Sequence, residues 1–198
     1  MQSKVFFPVV VLLGLALPLA AIARTASTAT PLPVGVALFD PVQFPGAEED
    51  VNGFRFSLFY GRNSNVLGLD IGAMVSVVDG DLFGFELSGL VNSIGSSSGS
   101  LQFAGIANNC LGDFSGVQIT GIANRADGRV IGGQIGGFNI SADMYGCQIG
   151  AYNKAAEAMG IQIGVINEAD SMRGIQIGLI NIIHDSRCPF LPIFNASF

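Results

Sequence analysis

The sequence predicts an all-β protein, a parallel β-solenoid of about nine coils, each 14–16 residues long. Three observations carry this expectation. The stretch GIQIGVINEADSMRGIQIGLIN, residues 160 to 181, states one unit twice at a spacing of fourteen residues, and self-similarity at a fixed period marks a repeat architecture. The most regular units have glycine both at the start and in the middle, as at Gly146 and Gly150, Gly160 and Gly164, and Gly174 and Gly178, which a helix would not tolerate copy after copy. Composition agrees: the chain is 49% hydrophobic and 12% charged, with 27 glycines and no tryptophan, a departure from ordinary domains toward a glycine-punctuated β protein.

Residues 1–23 read as a cleavable export signal. Lys4 gives the positive start, Val5 to Leu19 the apolar stretch, and Ala21-Ile22-Ala23 a small-x-small cleavage site before Arg24. Pro8, Gly14 and Pro18 interrupt a stretch already short for a membrane anchor. No cysteine follows the cleavage site to accept an acyl chain. The expected address is extracytoplasmic: cell surface, outer membrane or periplasm. Residues 24–52 are expected as an N-terminal segment or cap, 53–182 as the β-repeat domain, and 183–198 as a C-terminal cap.

The repeat domain is defined by columns. Copies start at Gly53, Gly68, Gly84, Ser100, Gly116, Gly132, Gly146, Gly160 and Gly174. Two residues after each start stand Arg55, Asp70 and Glu86, then Gln102, Gln118, Gln134, Gln148, Gln162 and Gln176. Asparagine recurs at Asn92, Asn108, Asn124, Asn139, Asn153, Asn167 and Asn181. A column two residues before each start is apolar in almost every copy, as at Val51, Val66, Leu82, Phe114, Val130, Met144, Ala158 and Met172. In a stack with a rise of about 4.8 Å, like residues lie over like. Side-chain amides then hydrogen-bond to the copies above and below, so the Gln and Asn columns read as structural ladders. Asparagine also suits the tight backbone of a corner.

Within a unit, Ile161, Ile163 and Val165 alternate as the buried side of a strand should. That places Gln162, Gly164 and Ile166 outward. The last outward column contains Phe138, Tyr152, Ile166 and Ile180, and an exposed apolar strip of this kind marks an interface. The alternative is that residues 24–52 or the tail cover it.

The competing architecture is an antiparallel meander closed into a small outer-membrane β-barrel. Odd and even copies would then differ in chemistry and linker length, and they do not. The strands are also shorter than the ~9–11 residues a membrane barrel needs. In the tail, Phe194, Ala196 and Phe198 alternate with Asn195 and Ser197, a pattern that serves either as a barrel insertion signal or as a cap over the open edge of the last coil. Pro189 and Pro192 would end the ladder.

The units G-I-Q-I-G-V-I-N and G-I-Q-I-G-L-I-N, the stretch GFRFSLFYGRNSNVLGLDIG (53–72) and the ending PFLPIFNASF (189–198) resemble the bacterial surface-repeat-containing proteins, with tandem G-x-Q-x-G-x-x-N units. The resemblance covers about three quarters of the chain. It implies an extracytoplasmic or surface location and carries no activity onto particular residues. Arg55, Asp70 and Glu86 depart from the pattern in the amide column.

No catalytic constellation emerges, and a non-enzymatic role is expected. His184 is the only histidine, the serines of Ser93 to Ser100 form no nucleophile elbow, and Asp79 and Asp81 face no general acid. Acids recur three residues before the starts, at Asp50, Asp81, Asp113, Asp143 and Glu157, where stacking could line up oxygen ligands. Arg129 shares that column and neutralises its neighbours, so no metal is expected. Cys110, Cys147 and Cys188 are odd in number and irregularly spaced, and Cys147 takes an Ile or Val place as a small buried hydrophobe. A net charge of −6 without a basic run excludes nucleic acid. No cofactor is expected. The remaining partner classes are another protein, a cell-envelope component including the membrane, and a second copy.

Overall fold

The computed structural model describes residues 30–197, and its regular structure is β-strand. Strands β1 (Leu32–Phe39), β2 (Val42–Phe44), β3 (Val51–Ser57), β4 (Tyr60–Asn63), β5 (Val66–Gly72) and β6 (Val75–Ser88) lead into β7 (Val91–Ala104), β8 (Ala107–Cys110), β9 (Phe114–Thr120) and β10 (Ala123–Ile135). The long β11 (Phe138–Ile183) winds through the last coils, and β12 (Phe190–Ser197) closes the chain. The export signal assigned to residues 1–23 lies outside the described residues, as does Phe198.

Coil stacks on coil in parallel, with the columns in register. Gly53 pairs with Gly68, Gly68 with Gly84, Gly84 with Ser100, Ser100 with Gly116, Gly116 with Gly132, and Gly132 with Gly146. This is a parallel β-solenoid. The parallel ladders replace the antiparallel meander that the barrel alternative required, and the sheet order runs openly from β2 to β12. At the first end β1 adds a parallel strand to β3, with Val34 beside Phe54 and Val36 beside Phe56, and β2 folds back antiparallel on β1. At the other end β12 lies antiparallel on the last coil, with Asn195 opposite Gln176 and Phe194 opposite Ile177.

The start glycine has a conformational reason. Gly160 sits at φ +139°, and a Cβ there would run into the carbonyl oxygen of Gly146 in the coil below. Ser100 is the one start without glycine. Pairing slips register around Ser97 to Ser100, where the two serine hydroxyls lie 2.6 Å apart in the interior.

The facing of the strand is the reverse of the sequence expectation. Gln162 is 1% exposed and Ile163 38%, with Ile161 and Val165 also exposed. The physical reason is the ladder itself. A glutamine whose amide bonds to identical amides above and below has no orphaned polar atom, so its burial costs little. With Gln inward, the two-residue period sends both flanking isoleucines out. Gly164 follows Gln162 on the inner side, where a Cβ would collide with the Gly150 carbonyl and approach Asn153 Nδ2 to 2.7 Å.

The apolar core therefore comes from elsewhere in the coil. One column is the expected one two residues before each start, including Val51, Leu82, Phe114, Val130, Met144 and Met172. A second lies two residues after all but one of the asparagines: Ile94, Cys110, Ala126, Ala155, Ala169 and Ile183, with Ser141 in the place after Asn139. Between them the Gln and Asn columns complete a thin interior of mixed polarity.

Candidate interaction face and the buried amide ladders

The glutamine ladder runs one way and the asparagine ladder the other. Gln176 Nε2 donates to Gln162 Oε1 at 2.8 Å, Gln162 to Gln148 at 2.7 Å, and Gln148, Gln134 and Gln118 each donate to the copy before at 2.9 Å. Asn92 donates forward to Asn108, Asn108 to Asn124, Asn124 to Asn139, Asn139 to Asn153, Asn153 to Asn167 and Asn167 to Asn181, all at 2.8–3.0 Å. The second asparagine proton goes to a main-chain carbonyl of the next coil, as Asn153 Nδ2 does to Ile163 O at 2.9 Å. Opposite polarity sets the two columns of amide dipoles against each other. It also leaves one free acceptor on the terminal member of each ladder, Gln176 Oε1 and Asn92 Oδ1, and both lack a partner.

The first glutamine of the ladder donates to a carboxyl group. Gln102 Nε2 reaches Glu86 Oε2 at 2.5 Å. Beyond it, Asp70 pairs with Arg55 through two bonds, Nε to Oδ1 at 2.8 Å and Nη2 to Oδ2 at 2.5 Å. The Arg55 guanidinium also donates to Asn63 Oδ1 and Val77 O at 3.0 Å each, and Ser76 Oγ contacts both it and Asp70. All three charged residues are at most 1% exposed. Burial, then the negative Asp70, pushes the Glu86 carboxyl up to about 8, so it is held as a neutral acid at pH 7.

The outward side of the G-x-Q-x-G strand is a largely apolar surface. Positions −1, +1, +3 and +5 from each start contribute, among others, Phe54, Phe56, Leu67, Leu69, Phe83, Leu87, Ile135, Ile149, Ile161, Ile163, Ile177 and Leu179, and all of these are exposed. Arg173 is the single charged side chain in those four columns. Near the last coils the surface dips into an apolar depression of about 580 Å³ between Ile149, Ile163, Val165, Ile177, Leu179 and Ile193. The opposite side of the solenoid is polar, with Arg125, Lys154, Glu168 and His184 standing one or three residues after the asparagines. The result is a two-faced slab.

The strip expected from Phe138, Tyr152, Ile166 and Ile180 lies along one margin of this surface. Phe138 and Ile180 are exposed, while Tyr152 and Ile166 are half-buried. The Phe138 and Tyr152 rings meet at a tilt of 56° with centroids 6.4 Å apart, and Tyr152 Oη donates to Glu168 Oε2 at 2.7 Å. Burial and that hydrogen bond raise the tyrosine hydroxyl well above its ordinary range. Residues 32–44 stack on the first coil and leave the strip uncovered. Sequence reasoning missed the broader surface because it assigned those isoleucines to the core.

Other candidates fall into place locally. Cys147 is half-buried on the outer face, not in the core, because its position has the parity of Ile161; Cys110 is the fully buried cysteine, with its thiol pushed up to about 11 by burial. Asp113 Oδ1 accepts the Arg129 amide at 2.8 Å, and Arg129 Nε lies 3.9 Å from Asp143. His184 Nε2 is 3.4 Å from Glu168 Oε1. Among the described residues no group of three or more His, Cys, Asp or Glu converges on a metal-sized site, and no helix is long and apolar enough to cross a membrane. No family model, curated protein or solved structure matches the chain.

Proposed function

We propose that the chain is an exported, non-enzymatic structural or interaction protein of the surface-repeat kind, working through the outer face of its G-x-Q-x-G strands. One observation supports the reading above all: row after row of exposed isoleucine, leucine and phenylalanine is arranged on a flat sheet whose interior is already filled by amides. A surface of that extent lowers its free energy only when covered. The leader-like residues 1–23 and the resemblance of the repeats support export. The polar back carries side chains that bond to one another, as Lys154 and His184 do around Glu168, an arrangement that suits a solvated side.

Fractionation of bacteria expressing the tagged full-length chain tests this reading. The expected result is an extracytoplasmic chain whose intact mass begins at Arg24, retained with the envelope or an assembly. Ile163→Lys with Ile177→Lys should release it while the circular dichroism of the purified chain is unchanged. A cytosolic chain that keeps Lys4, or identical fractionation of the two chains, would contradict it.

A further inference from the structure

We propose that the occupant of the apolar face is a second copy of this chain, packed face to face. The proposal rests on reading that face as an interaction surface and adds its partner. Area is the first argument. Nine coil starts are separated by eight rises of ~4.8 Å, a length of about 38 Å, and the strand from −1 to +5 spans about 20 Å, so the face measures roughly 770 Å². Each partner of a stable complex contributes about 800 Å². The face also exceeds the ~300–600 Å² patch typical of monomers. Val34 and Val36 continue it beside Phe54 and Phe56, and Phe194 continues it beside Ile177.

Shape is the second argument. Rows of side chains on a pleated sheet pack against another pleated sheet at about 10 Å, and a second copy presents the same row spacing. A two-fold axis lets one patch serve both partners and closes the assembly at two.

Charge decides between a second copy and a membrane. The +1 and +3 columns carry no charge, and the acids Asp50, Asp81, Asp113, Asp143 and Glu157 line one margin, offset only by Arg129 in the same column and Arg173 beside it. With a net charge of −6, that margin repels an anionic lipid surface. Rotation by 180° about an axis parallel to the stack sets the acidic margin of each copy over the other's opposite margin, where Phe138 and Ile180 stand. Like charges are then kept apart.

Sedimentation equilibrium of the purified mature chain, with and without Ile163→Lys plus Ile177→Lys, is the test. The wild type is expected at twice the chain mass at micromolar concentration, and the variant at one chain mass with unchanged circular dichroism. A measurement on the wild type alone guards against misfolding of the variant. Alkylation of Cys147, on the face, should slow relative to exposed Cys188 as concentration rises. A wild type of one chain mass, a dimer untouched by both lysines, or a constant Cys147 to Cys188 ratio would overturn the proposal. So would a monomer that floats with phosphatidylcholine vesicles, which would make lipid the occupant. If the wild type is monomeric but its envelope retention still depends on Ile163 and Ile177, the second copy is refuted and the interaction reading survives. Loss of both dependences refutes both.

Discussion

Gln102 donates a 2.5 Å hydrogen bond to Glu86, so a column of neutral amides ends on a carboxyl group that is itself fully buried. The column then crosses to Asp70 and Arg55 as an ion pair. Stability of the first coils therefore depends on the protonation of Glu86.

The sign of that dependence follows from the raised value of about 8 against an ordinary 4.5. Between those values the folded chain holds a proton that the unfolded chain has released, so stability falls as pH rises from about 4.5 to 8 and levels off above. The loss is on the order of a few kcal/mol. Glu86→Gln should remove this slope and restore the column's usual residue. Urea titrations at pH 5, 7 and 8.5 check it, and equal slopes in both chains would refute it.

Gln148→Ala should cost about 2–5 kcal/mol, because it opens a void and strands the amides of Gln134 and Gln162. Ile163→Ala should cost under about 1 kcal/mol when measured at concentrations where the chain is monomeric, since the side chain faces out. Denaturant midpoints give both, and a reversed order would restore the isoleucines to the core.

Two glycines two coils apart separate conformation from mere smallness. Gly160→Ala forces a Cβ onto the Gly146 carbonyl at φ +139° and should unfold the chain or cost several kcal/mol. At Gly133 the nearest atoms to a Cβ are 3.8 Å away, so Gly133→Ala should be near neutral. Thermal melts of the two variants make the comparison.

At the C-terminal end, Asn195 Nδ2 and Gln176 Oε1 lie in paired residues and neither has a partner. Asn195→Gln adds the methylene that lets the amides meet. The expected gain is about 1 kcal/mol in urea, and a loss of stability would show that the cap has no room for it.

Much of the architecture was legible because its cause is local. The start glycines mark a backbone that only glycine adopts, and the spacing of Gln162 and Gln176 forecasts that one lies over the other. The facing was not legible from alternation alone. Ile-Gln-Ile reads as apolar inward under the ordinary rule, and the rule fails where a polar column satisfies itself along the stack. The second core column had a signal that went unread: the residue two after each asparagine, as at Cys110, Ala126, Ala155, Ala169 and Ile183, is apolar in nearly every copy. The outward face followed from the facing and was missed with it, and only its margin, Phe138 to Ile180, was singled out. The Arg55–Asp70 pair was visible as an irregularity in the amide column, but its geometry depends on Ser76 and Asn63 from other strands.

The glutamine column is the interior of the coil, and the isoleucines flanking it are its surface. Side-chain amide hydrogen exchange of Gln118, Gln134, Gln148, Gln162 and Gln176, followed by NMR in the folded chain, tests it most directly. The Nε2 protons are expected to exchange orders of magnitude more slowly than those of free glutamine, because each is bonded in a dry column. Exchange at the free rate would place the amides in water and contradict the fold's interior as described.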